Sequence, residues 1–197
     1  MHRVSSILMS LGLCAVVWAA PLTKEKAEAT AYIPAKPGAR WEFQTPRASI
    51  VEVIKSVDKK DGATIISIGT DDGEGKIVVT ERLEITGKGI FRIESRGDKL
   101  DPPLCLLKLP HSDGQTWESA DASGDCKGKH KAFGPEEVVV PAGKYKAIRV
   151  ESEYTFSFLS GKPTLSVHWY APGVGLIKST SQGKISFELR SFAVGGD

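Results

Sequence analysis

Ile148-Arg149-Val150-Glu151-Ser152-Glu153-Tyr154-Thr155-Phe156-Ser157-Phe158 is the stretch that decides the fold. Ile148, Val150, Tyr154, Phe156 and Phe158 fall on one side of an extended chain, and Arg149, Glu151, Glu153 and Thr155 on the other. Successive side chains of a strand point to opposite faces, so this period of two is a strand and not a helix. The same period sets Leu165, Val167 and Trp169 against Thr164, Ser166 and His168. It also sets Ile185, Phe187 and Leu189 against Lys184, Ser186, Glu188 and Arg190. Each strand is expected to turn its apolar side to a core and its polar side to water, the habit of antiparallel sheets. By that parity His168 is expected to face solvent.

Turn chemistry separates the strands. Asp58-Lys59-Lys60-Asp61-Gly62, Asp71-Asp72-Gly73-Glu74-Gly75, Thr86-Gly87-Lys88-Gly89, Pro141-Ala142-Gly143-Lys144, Ser160-Gly161-Lys162-Pro163 and Gln182-Gly183 each join two β-rich runs. The expected fold class is all-β: a curved antiparallel sheet, a half-barrel or a sandwich, made of two similar meander halves. The halves are suggested by two internal matches. Gly38-Ala39-Arg40-Trp41-Glu42 resembles Gly114-Gln115-Thr116-Trp117-Glu118, and Leu83 to Arg92 resembles Trp169 to Lys178. The offset grows by about ten between the matches, so a longer loop or strand pair is expected in the second half. A lone meander buries little, so the halves should share one core. Their bounds are about 38–100 and 101–192, within a single domain, 38–197. Asp101 to Pro110, rich in proline and leucine, should be an edge-like but buried segment.

The chain has 197 residues, 26 basic against 24 acidic, for a formal net charge of +2. So even a balance argues against a nucleic-acid partner, which calls for a basic excess. Met1-His2-Arg3, the apolar run Val4 to Trp18 and the small-x-small site Val17-Trp18-Ala19 read as a signal peptide over 1–19. The run is too short to span a bilayer, and no other segment could. The protein is therefore expected to be exported, to the periplasm or the extracellular space. Residues 20–37 should form a flexible N-terminal arm. Cleavage removes Cys14 and leaves Cys105 and Cys126, an even pair expected to form a disulfide in an oxidising compartment. The competing reading makes Cys105 a buried apolar residue within Leu104-Cys105-Leu106-Leu107.

Chemistry-bearing signatures are lacking. His111, His130 and His168 do not sit at metal-ligand spacing from one another or from cysteine. Asp71-Asp72-Gly73-Glu74 has too few ordered oxygen ligands for a calcium loop and reads as a solvated hairpin tip. Asp121, Asp125 and Lys127 around Cys126 read likewise as solvated. No Gly-x-Ser-x-Gly elbow occurs, and Gly173-Val174-Gly175 lies in a β pattern where no helix dipole is available for phosphate. Trp41, Trp117 and Trp169 read as core anchors. No catalytic residue, metal ligand or cofactor is expected.

Two segments carry a resemblance: Val138-Val139-Val140-Pro141-Ala142-Gly143-Lys144-Tyr145-Lys146-Ala147-Ile148-Arg149-Val150, and Trp169-Tyr170-Ala171-Pro172-Gly173-Val174-Gly175-Leu176-Ile177-Lys178. With the Gly-x-x-Trp element and Leu106 to Pro110, they are similar to exported bacterial β-rich proteins of unknown function, near the TapB-like group. The likeness covers residues 100–192 well and the first half weakly. It implies export and a curved antiparallel fold akin to the half-barrels of lipoprotein carriers, and brings no catalytic residues. The expected function is a non-catalytic binding or interaction domain of the cell envelope, with a concave hydrophobic face for a hydrophobic ligand or an envelope protein. The alternative is a structural or assembly component of the cell surface without a small ligand.

Overall fold

The computed structural model describes residues 32–72, 74–157 and 162–195. The signal peptide, Cys14, residues 20–31 of the arm, Gly73 and Phe158 lie outside the described residues. Twelve strands follow one another: β1 (Arg40–Gln44), β2 (Ser49–Lys60), β3 (Ala63–Asp71), β4 (Ile77–Thr86), β5 (Gly89–Ser95), β6 (Asp98–Lys108), β7 (Thr116–Ala120), β8 (Cys126–Val140), β9 (Gly143–Phe156), β10 (Thr164–Ala171), β11 (Gly175–Ser181) and β12 (Lys184–Ala193). No helix long and apolar enough to cross a membrane occurs among the described residues.

All twelve strands belong to one antiparallel sheet, in the order β6-β5-β4-β3-β2-β1-β12-β11-β10-β9-β8-β7. The chain thus lays down two consecutive meanders of six strands, and β1 joins them by pairing with β12 from Arg40↔Ala193 to Gln44↔Glu188. The sheet rolls until its edges nearly meet. Across that seam Trp117 of β7 donates its indole N–H to the Cys105 carbonyl of β6 at 3.1 Å. The break between the meanders falls after Lys108, so the segment expected between the halves is the closing edge strand of the first. Its leucines are enclosed, with Leu107 fully buried. The matched segments occupy corresponding places. Trp41 and Trp117 lie on the first strand of each run, and the second match covers β4–β5 and β10–β11. The second run is longer at β8 and β9, 15 and 14 residues against 12 and 9 for β2 and β3.

The hairpin turns explain the glycine spacing. Gly175 has φ +91°, a conformation that side-chain-bearing residues rarely adopt. At Gly89 a Cβ would sit 2.3 Å from the Leu107 carbonyl oxygen, so the β5–β6 pairing requires glycine there.

The interior has two layers. Ile54, Ile66, Leu83, Ile85, Ile90, Leu107, Ala132, Ile148, Val150, Ile177 and Leu189 form an apolar layer. Each large side chain buried there contributes about 1.5–3 kcal/mol. Even-numbered strands reach this layer after the other end of the barrel, and odd-numbered strands before it. Glu52 precedes Ile54, Glu81 precedes Leu83, His130 precedes Ala132, and Arg92 follows Ile90. Ser152 and Tyr154 follow Val150, and His168 precedes Tyr170. These inward positions at the other end carry polar and aromatic side chains.

Four expectations are corrected. On β10 the parity is inverted: Leu165 is 49% exposed, whereas Ser166, His168 and Tyr170 point inward. Trp169 is therefore only partly buried against the core rather than anchored within it; its indole N–H donates to Glu136 Oε1 at 2.8 Å, and Lys178 Nζ lies 5.8 Å from its ring centre. The arm does not run free to residue 37, because Tyr32 and Ile33 are buried against the barrel and Ile33 contacts Gly175. The disulfide is not formed: Cys105 on β6 and Cys126 on β8 are both free thiols.

Candidate functional site

The polar layer opens into a cup of about 440 Å³ at one end of the barrel. A wider depression of about 780 Å³ crosses the outer face of β7–β10, between exposed Glu118, Lys129, Lys131, Glu153 and Leu165. It is larger but shallow, and its charges are solvated. The cup encloses the unusual chemistry.

One wall of the cup carries three charged residues on inward positions. Arg92 of β5 donates from Nε to Glu81 Oε1 of β4 in a close ion pair. Burial pulls the Arg92 pKa down, but the charge and hydrogen bond of Glu81 outweigh it, and the guanidinium is held above its ordinary value. That Nε bond is the guanidinium's one hydrogen bond among the described residues, and Arg92 lines the cup with both Nη groups unbonded. Glu52 of β2 lies beside the pair. Burial, then repulsion from Glu81, push its carboxyl up to about 7, with Arg92 pulling the other way. These groups are surrounded by protein yet touch the lumen, so cavity water screens them in part.

The opposite wall is uncharged. Burial, followed by Arg92 and then His130, brings His168 down to about 4. Burial alone brings His130 to about 4. His130 is only 4% exposed, with both ring nitrogens engaged: Nε2 lies 2.8 Å from Ser119 Oγ and Nδ1 2.8 Å from Ser152 Oγ. Trp117 stacks on its ring at 5.3 Å and Tyr154 meets it edge-on at 5.5 Å. Burial raises the phenols of Tyr154 and Tyr170, so both stay protonated at neutral pH. Trp41, Phe43 and Phe187 complete the lining; Phe43 and Phe187 meet edge to face at 4.9 Å, and Trp41 is fixed by its N–H donation to the Val174 carbonyl at 2.7 Å.

Both cysteines line the cup. Burial, partly offset by Lys108, pushes the Cys105 thiol up to about 11. Burial and Asp121 raise Cys126 as well. Neither is a ready nucleophile at neutral pH. His111 sits elsewhere, with Nε2 2.9 Å from the Gly134 carbonyl. The acidic tip at Asp71 and Asp72 is closed on itself, the Asp72 carboxylate accepting from the N–H groups of Glu74 and Lys76. No three His, Cys, Asp or Glu side chains converge to hold a metal among the described residues.

The sequence supplied no titratable cluster, yet Glu52, Glu81, Arg92, His130 and His168 meet here. Five strands contribute them, so no local motif exists. A signal was present all the same. Glu52, Glu81 and Arg92 each stand two positions from a fully apolar residue, Ile54, Leu83 and Ile90, and share its parity.

The same fold recurs among solved structures. A Bacteroides fragilis protein, described as exported and as having a YmcC-like fold, aligns with a TM-score of 0.55 at 12% identity, over 82% of this chain and 98% of that one. A Parabacteroides distasonis protein described as a lipoprotein aligns with a TM-score of 0.50 at 11% identity, over 82% and 98%. At such identities the likeness carries the fold alone. No family model matches the chain, and no curated protein sequence does.

Proposed function

We propose that this chain is an exported, non-catalytic binding domain of the cell envelope, whose barrel takes a small amphipathic ligand into the cup. Export is supported by the leader-like N-terminus and by the descriptions of the two structural neighbours. The binding reading is carried by one observation: charged and hydrogen-bonding side chains are kept inside a barrel whose remaining interior is packed with aliphatic residues. A carboxyl displaced to about 7 lowers stability at neutral pH, and such displacements gather where ligands bind. A purely structural barrel gains nothing from that arrangement. The concave face is not simply hydrophobic, so the ligand has a polar end as well as an apolar body.

The test is titration of the purified exported chain with the neutral dye N-phenyl-1-naphthylamine, read by its fluorescence. One saturable site is expected. Ser166→Trp, which fills the lumen, should abolish it while leaving the circular dichroism spectrum unchanged. Dye binding that survives in the filled variant refutes the cup as the site.

A further inference from the structure

We propose that the cup is a site for amphipathic carboxylates, anchored by the Arg92 guanidinium; this deepens the binding reading and rests on it. Arg92 is fixed in direction because Glu81 holds its Nε. Its two Nη groups keep their charge and meet no acceptor among the described residues, and Arg92 lines the cup. A planar fork with two free donor groups matches a carboxylate, which it can hold through two parallel hydrogen bonds. The body of the ligand then lies against Phe43, Phe187, Phe156 and Leu106, which line the same space. The volume, about 440 Å³, suits a medium-chain or aryl acid.

A cationic ligand fits less well. The Glu81 carboxylate is already spent on Arg92, and Glu52 is only partly ionised at neutral pH. Across the lumen stand neutral His168 and His130 and the protonated phenols of Tyr154 and Tyr170, none of which carries charge. Cys105 and Cys126 are likewise uncharged there. Charged donors are therefore the unmet groups.

Glu52 adds a proton linkage. It faces Glu81 from β4 and Arg92 from β5, and across the lumen His130 on β8, Tyr154 on β9 and His168 and Tyr170 on β10. A carboxylate seated on Arg92 brings a second negative charge beside it. Glu52 therefore takes up a proton on binding, and affinity falls several-fold as pH rises from about 6 to about 8.

The experiment is calorimetric titration of the delipidated exported chain at about pH 6 with decanoate, decan-1-ol and decyltrimethylammonium. Decanoate should bind about tenfold tighter than the alcohol, equivalent to about 1.4 kcal/mol. The double variant Glu81→Gln/Arg92→Gln removes the ion pair whole, so neither partner is left without the other, and should bring decanoate down to the level of the alcohol measured on the same variant. If that variant does not fold, Arg92→Lys keeps the charge opposite Glu81 but loses the fork, and the same loss is expected. Equal binding of acid and alcohol overturns the anchor and leaves the binding reading standing. Tightest binding by the ammonium compound, or a decanoate preference that survives both variants, also overturns it. No binding by any of the three overturns the binding reading as well.

Discussion

Replacing Glu52 by glutamine should make the unliganded protein more stable at alkaline pH and leave it unchanged in mild acid. Burial and the neighbouring Glu81 hold the folded-state pKa at about 7, against an ordinary value of 4.5. Each unit is worth about 1.4 kcal/mol, so the full shift corresponds to roughly 3 kcal/mol; screening by lumen water reduces this to on the order of 2 kcal/mol. Because the folded pKa is raised, the folded state binds the proton more tightly than the unfolded chain. Stability is then highest below about 4.5, declines as pH rises toward about 7, and stays low above it. His130 and His168 work in the opposite sense. Their folded values near 4 give stability that is complete above about 6.5 and is lost as pH falls toward 4. Those terms are common to both proteins and cancel in the difference. Thermal melts of wild type and Glu52→Gln at about pH 4 and about pH 8 measure what remains. The variant should match wild type near pH 4 and melt about 4–8 °C higher near pH 8. An equal offset at both pH values would mean that Glu52 titrates normally, and the enclosed acid would be gone from the argument.

Ile177→Ala, at a fully buried position of the apolar layer, should cost about 2–5 kcal/mol in urea unfolding, with the cup's dye binding retained. Thiol titration of the natively exported protein should find two free cysteines, with iodoacetamide at about pH 8 modifying Cys126 before Cys105, whose thiol is the more deeply enclosed; a count of zero would show that the pair bonds after export.

The fold was legible because most inward positions are aliphatic. Ile148 and Val150 announce β9, the glycine-bearing turns mark its neighbours, and Leu104 to Leu107 betray an enclosed edge strand. The reading failed on β10 for a physical reason. It assumed that the apolar side of a strand must be the inner side, yet here the lumen is polar and Trp169 finds partners in Glu136 and Lys178. Thr164, Ser166 and His168 therefore looked like a solvated face. Glu52 and Arg92 were overlooked in the same way, as isolated charges in apolar runs. Their partners lie on other strands: the β4–β5 pairing sets Glu81 beside Arg92, and the roll of the sheet sets His130 and His168 across the lumen from them. The cysteines misled through compartment logic: an even count in an exported chain says nothing about whether two strands hold their sulfurs in bonding position.

The pairing of β1 with β12 has a consequence for assembly. Hairpins such as β2–β3 form from neighbouring stretches with small loss of chain freedom, whereas the first strand must wait for the last before it finds its second neighbour. Topologies dominated by such distant partners fold slowly. If the chain is exported tail-last, as proposed above, its amino-terminal edge stays unsatisfied until translocation is almost complete, and the cylinder closes only on the far side of the membrane.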